Sequence, residues 1–193
     1  MAVPEVETLL QFYEGSYATC VRSFARSEPH TPERSEHLID FIHLQYVRTE
    51  AAAKRRAHLF SEGAELAFEH APTQRPSVPS TKQNPYNSFK LVGEIRHLLH
   101  DLKLVIVKNR TKIDFLTCDD PAVFLNRLYS QRRTLFPGGA GLCNAGAMFL
   151  LPLTPRETAI VYDTDAYYFP NSAAGYCDVF DEDDILSLNL FKQ

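Results

Sequence analysis

The stretch Thr111–Asn126, TKIDFLTCDDPAVFLN, passes from one apolar run to another through an acidic turn: Ile113–Leu116 and Ala122–Leu125 flank Cys118, Asp119, Asp120 and Pro121. Pro121 draws the residue before it away from helical backbone angles and cannot donate a ladder hydrogen bond. The chain must therefore bend here or form a sheet edge, which leaves two carboxylates at a strand end. Asp side chains close such bends by accepting backbone N–H bonds two residues on. One acid is enough for that task, so the other is available for chemistry or for an ion pair.

Working outward, KLVIVK at 103–108 is a β-branched run that predicts a strand, and Asn109–Thr111 predicts a hairpin turn into a second strand over 112–117. Ala122–Leu125, Met148–Leu151 (stopped by Pro152) and Glu157–Asp163 read as further strands of an antiparallel sheet. Asp181–Phe191 reads as a short helix, with Asp181 capping and Glu182, Asp183 and Asp184 at the positive end of its dipole. The glycines between 127 and 147 fit neither G-x-x-x-x-G-K-S/T nor G-x-G-x-x-G, which argues against a nucleotide cradle.

Upstream, Val6, Leu9, Leu10, Tyr13, Tyr17, Cys20, Val21 and Phe24 recur at helical spacing and predict an amphipathic helix over 4–27. Thr31 followed by Pro32 is an N-cap signature, and the helix it opens is expected to run to about Glu69 with a bend near Gly63. At about 100° per residue, Phe41, Gln45, Arg48 and Ala52 share one face beside Leu38 and Ile42. Gln45 and Arg48 thus interrupt an apolar stripe. Arg48 requires an anionic partner or a ligand there, or it snorkels to the surface. Residues 71–85 hold four prolines among Ser, Thr, Gln and Asn and read as a loop. A third helix is expected from Asn87, with Leu91, Val92, Ile95, Leu98, Leu99 and Leu102 as its stripe. His97 and His100 lie at i, i+3 in it without a third ligand, too little for a metal site. The fold class is therefore α+β: long N-terminal amphipathic helices on a small, mainly antiparallel sheet with a short C-terminal helix. The expected organisation is a single domain over 1–193, comprising a helical layer (1–70), the proline-rich loop (71–85) and helix plus sheet (86–193).

At 193 residues, 45% hydrophobic and 23% charged, the chain is long enough for a substantial core. A net charge of −4 excludes a surface built throughout for nucleic acid and leaves only the local cluster Lys54, Arg55 and Arg56. No apolar run reaches the roughly 18 residues of a membrane span, and the N-terminus lacks a signal-type segment. Cys20, Cys118, Cys143 and Cys177 form no C-x-x-C pair, which points to reduced thiols and a cytoplasmic location.

Four stretches in order give a resemblance: Phe41–Thr49 (FIHLQYVRT), Phe115–Val123 (FLTCDDPAV), Pro152–Pro155 (PLTP) and Leu188-Asn189. Together they resemble the family known as domain of unknown function 4238. The family's helical motif is represented by Gln45, Arg48 and Thr49. Its acidic turn usually reads Thr-Ser-Asp-Asn-Pro, so Asp119 and Pro121 match, while Cys118 and Asp120 replace a Ser and an Asn. The family's initial His-Tyr-x-Pro has no counterpart in residues 1–30, which implies a member shortened at its N-terminus. The resemblance implies no reaction and no cofactor, but it singles out Asp119 as the site acid and leaves Asp120 as the turn acid.

The first function expected is a hydrolase-like enzyme acting on an anionic substrate such as a phosphodiester. In it Asp119 is general base or metal ligand, Arg48 holds the anionic group and Gln45 orients water, with Thr49, Thr117 and Asn126 binding substrate. No nucleophile motif, triad or metal set accompanies them. The alternative is a non-catalytic binding or regulatory module in which Arg48 and Asp119 form a structural ion pair. Nucleic-acid binding through Lys54–Arg56 is a third expectation, ranked below both.

Overall fold

The structure is a computed structural model that describes residues 3–69, 76, 90, 92–99, 101–128, 141–170, 172 and 174–191. Helix α1 (Val3–Ala25) is followed by α2 (Pro32–Arg48), α3 (Glu50–Ala67) and a short 3₁₀ turn η1 (Arg96–Leu99). Strands β1 (Lys103–Asn109), β2 (Val123–Leu125), β3 (Met148–Thr154), β4 (Glu157–Tyr162) and β5 (Tyr176–Val179) come next, and α4 (Glu182–Leu190) closes the fold. The expected α+β architecture is present, in the order β2-β3-β4-β1-β5. All pairings are antiparallel except β1 with β5.

Strand β1, interior to the sheet, explains the layering. A run such as LVIV has no polar face, so both sides of it must be covered. Leu104 and Ile106 join Phe149, Leu151, Ala159 and Val161 beneath α1 and α2, against Phe24, Leu38, Phe41 and Ile42. The alternate residues Val105 and Val107 join Met148, Leu150, Ile160 and Tyr162 on the other face, where Ile185 of α4 and Phe115 cover them. Phe149 fixes α2 on the sheet: its ring centroid lies 5.5 Å from that of Tyr46 and 5.0 Å from that of Phe124. Tyr17 of α1 stacks on Phe41 of α2 at 3.8 Å.

Helix ends follow the expected chemistry at two places. Thr31 accepts from the Arg34 amide with Pro32 at the first position of α2, and Asp181 accepts from the Asp183 amide ahead of α4. The long second helix does not form as one rod. It breaks at Thr49, whose backbone is extended (φ −72°, ψ 159°) and whose hydroxyl caps α3 by accepting from the Ala52 amide at 3.0 Å. No break occurs at Gly63, inside α3.

Three sheet expectations also change. Residues 112–117 are not a strand: β4 and β5 occupy the two edges of β1, so the chain after β1 crosses the second face instead. Asn109 makes that turn, its Oδ1 accepting from the Thr111 amide at 2.9 Å and its amide donating to the Ile113 carbonyl. Pro152 does not stop β3, which continues to Thr154 through a register irregularity at 152–154. Strand β5 carries no clear sequence signal and pairs parallel to β1. The helix expected from Asn87 is helical at 92–95 before η1, with Val92 and Leu99 buried. Asn87, Leu91, His100, nearly all of 71–85 and the glycine-rich segment 129–140 lie outside the described residues.

Candidate functional site: a clamped acidic turn

The segment 113–122 has no regular secondary structure, yet groups from three other parts of the chain hold it. The Phe115 amide donates to the Pro155 carbonyl at 2.9 Å. Asn189, only 6% exposed, accepts from the Leu116 amide and donates to the Asp114 carbonyl, both at 2.9 Å. An amide side chain can serve a backbone N–H and a C=O at once, as a β-partner would, which lets one residue replace the missing ladder.

At the turn itself, Thr49 Oγ1 donates to Asp120 Oδ1 at 2.7 Å while accepting the α3 capping bond. Arg55, one and a half turns into α3, forms an ion pair with Asp120. Its guanidinium lies 5.2 Å over the Tyr46 ring and donates to the Tyr46 carbonyl at 3.4 Å. The helix break, the cap and the ion pair are thus one construction. Thr49 leaves helical angles, its hydroxyl reaches the turn, and α3 starts at the angle that brings Arg55 onto the same carboxylate.

The ion pair joining helix to turn is therefore Arg55–Asp120, whereas the binding-module alternative expected Arg48–Asp119. Arg48 donates from Nε to Gln45 Oε1 at 3.0 Å and from Nη1 to Glu14 Oε1 at 3.3 Å, so its anionic partner comes from α1. Gln45 is buried, as the helical face requires. Thr117, Cys118 and Asp119 are exposed at the tip of the turn, and Cys118 Sγ donates to the Asp120 carbonyl at 3.3 Å. Asn126 lies apart from the tip: it is 3% exposed and donates to the Ala145 carbonyl at 2.8 Å, beside Gly146 at φ +86°. A Cβ on Gly146 would stand 2.9 Å from Asn126 Oδ1, so the two fit as a pair. Within the basic cluster, Lys54 pairs with Glu50 at 2.8 Å and Arg56 donates to the Val47 carbonyl at 2.7 Å; with Arg55 engaged as well, all three serve their own helix layer or the turn.

Among the described residues no group of three or more His, Cys, Asp and Glu could hold a metal ion. Sequence reasoning missed Arg55 and underrated Asp120. The signal for Arg55 was its position on the α3 face that also carries Ala52, which becomes legible only once Thr49 is read as a cap.

Three stretches of the resemblance converge on the fourth, the turn: the end of α2 through Thr49, Pro155 of PLTP, and Asn189 of Leu188-Asn189. No curated protein and no solved structure matches the chain. A family model matches residues 2–191, and the chain belongs to that family, described as Protein of unknown function (DUF4238).

Proposed function

We propose that the chain is a binding or regulatory module whose polar motif residues are structural: Thr49, Arg55, Asp120 and Asn189 hold an irregular segment rigid so that its tip, Thr117–Asp119, is presented to a partner. The observation that carries this reading is the convergence of three separate parts of the chain, the start of α3, the β3–β4 turn and α4, on residues 114–120. Binding elements on loops depend on a scaffold that removes their freedom beforehand. The test is a double-mutant cycle on Arg55→Ala and Asp120→Ala, read by urea denaturation. A coupling of about 1 kcal/mol or more supports a structural lock, and additive losses refute it.

A second reading keeps the hydrolase-like enzyme for an anionic, phosphodiester-type substrate. One observation favours it. The Thr49–Asp120 bond brings together the chain at Arg48 and the chain at Asp119, and the engagement of Asp120 leaves Asp119 exposed. Asp119 would act as general base, Arg48 would hold the anionic group after giving up Glu14, and Gln45 would orient water. A hydrolysis screen with and without divalent metals separates the two. The module reading expects no turnover, whereas turnover that Asp119→Asn abolishes without loss of stability would establish the enzyme.

We place the protein in the cytoplasm. The four cysteines are free thiols, as a reducing compartment maintains them, and no helix of the described residues is long and apolar enough to cross a membrane.

A further inference from the structure

Away from the acidic turn, the α1–α2 connection faces the sheet across two cavities that share Ser27. One, of about 500 Å³, is lined by Ile39, Leu102, Leu104 and Ala174 with His30 and Tyr176. The other, of about 460 Å³, is lined by Lys108, Asn109, Arg110, Arg156 and Glu157. The first is mainly apolar and the second mainly polar, and each has the size of a small-molecule site. We propose that this cleft binds a small amphiphilic anion, with its carboxylate or phosphate head at Lys108 and its apolar body along Ile39, Leu102 and Leu104.

Three features carry the assignment. Lys108 is 8% exposed, an unusual place for an ammonium. Its partners are the Ser27 hydroxyl, the face of Tyr176 at 4.5 Å, and Glu157 at 3.9 Å, the limit of an ion pair. An ammonium has three N–H groups, so the bond to Ser27 and the long contact to Glu157 leave capacity for an incoming anion. Arg110 and Arg156 line the same chamber but turn to Asp178 at 2.6 Å and Asp114 at 3.3 Å. Each of the three cations has a carboxylate partner, and Lys108, whose partner is the most distant, is the least well matched.

His30 supplies the second feature. Its ring is wedged between Phe24 and Tyr176, with centroids 4.7 and 4.6 Å away, and Nε2 is buried with no hydrogen-bond partner among the described residues. A buried nitrogen without a partner is costly; the atom is closed to solvent, but its ring lines the apolar chamber, and a small shift of the ring on binding would give it a polar ligand atom. Burial, with the Lys108 charge, holds the imidazole below its ordinary pKa, so it meets a ligand as a neutral ring. The slot is built for the ring: Gly175 stands at φ +80°, and a Cβ there would lie 2.5 Å from His30 Nδ1.

Third, Ser27 terminates α1 at φ 56°, with the Glu28 amide donating back to the Ser23 carbonyl. Glycine is the usual residue at such a helix end. A serine there accepts backbone strain and in exchange puts a hydroxyl where the two chambers meet, against Lys108.

The test is isothermal titration of the full chain with sodium octanoate, octyl phosphate and octanol. Saturable binding of either anion, at least tenfold tighter than octanol, is expected. Lys108→Met should remove that preference. Because this change could also disturb the fold, Ala174→Trp, at an exposed position on the rim of the apolar chamber, is the second variant and should weaken both anions tenfold or more. No saturable binding of either anion, equal affinity for octanol, or anion binding unchanged in a folded Lys108→Met protein and in Ala174→Trp would overturn the assignment.

Discussion

Replacing His43 by Leu should flatten the acid side of the stability profile. His43 is 1% exposed on the sheet-facing side of α2, its ring centroid 6.3 Å from that of Phe149, and neither ring nitrogen has a hydrogen-bond partner among the described residues. Burial pulls its pKa from 6.5 down to about 4. Between those values the unfolded chain binds a proton that the folded chain refuses, so stability rises with pH across the window and falls as pH drops through it. At pH 4.5 the lost contribution is about 2.5 kcal/mol, taking roughly 1.4 kcal/mol per unit and allowing for partial protonation of the folded state. Urea denaturation at pH 7.5 and pH 4.5, for wild type and His43→Leu, isolates this group because the carboxylates common to both chains cancel. The wild type should lose about 2 to 3 kcal/mol more than the variant. At pH 7.5 the variant should be at least as stable, since two unsatisfied nitrogens give way to an apolar side chain of similar bulk. Equal losses for the two chains would show that His43 is solvated or partnered, and the packing argument would fail.

Asn189→Ala strips the Leu116 amide and the Asp114 carbonyl of their partner and should cost about 2 to 4 kcal/mol, with faster amide exchange at Leu116 as the local readout. Thr49→Ala removes the α3 cap and the bond to Asp120 together. A loss of about 2 kcal/mol is expected by thermal denaturation, against about 1 kcal/mol for a cap alone. Gly175→Ala forces a Cβ into the His30 ring at a backbone angle that favours glycine, and its melting temperature should fall well below wild type.

Much of the architecture was legible because local chemistry and tertiary structure agree. Thr31-Pro32 and Asp181 mark helix starts that form where their caps predict, and the unbroken apolar run of β1 already required cover on both faces. What was not legible depends on distant partners. The stripe of α2 continues in phase past Thr49, so periodicity gives no sign of the break; the hydroxyl that makes it answers to an aspartate 71 residues away. IDFL at 113–116 has strand composition, but both edges of β1 are taken, and β5 wins the place beside it with a short, weakly patterned segment. Arg48 was expected to find an anion or to reach the surface, and it does some of each, pairing with Glu14 of α1 while partly exposed. The acidic turn was found by its proline and its paired carboxylates. Which acid is anchored could not follow from that, because Arg55 reaches Asp120 only after the chain has broken at Thr49.

The central claim is that Asp120 anchors the turn while Asp119 is presented by it, and the most direct measurement compares the unfolding free energies of Asp119→Ala and Asp120→Ala. Asp120 loses a hydrogen bond to Thr49 and an ion pair with Arg55, whose side chain is 41% exposed; after discounting for solvent screening the expected loss is about 2 kcal/mol. Asp119→Ala should stay within about 0.5 kcal/mol of wild type, as exposed substitutions do. Equal losses, or a larger loss for Asp119, would contradict the division of roles between the two acids.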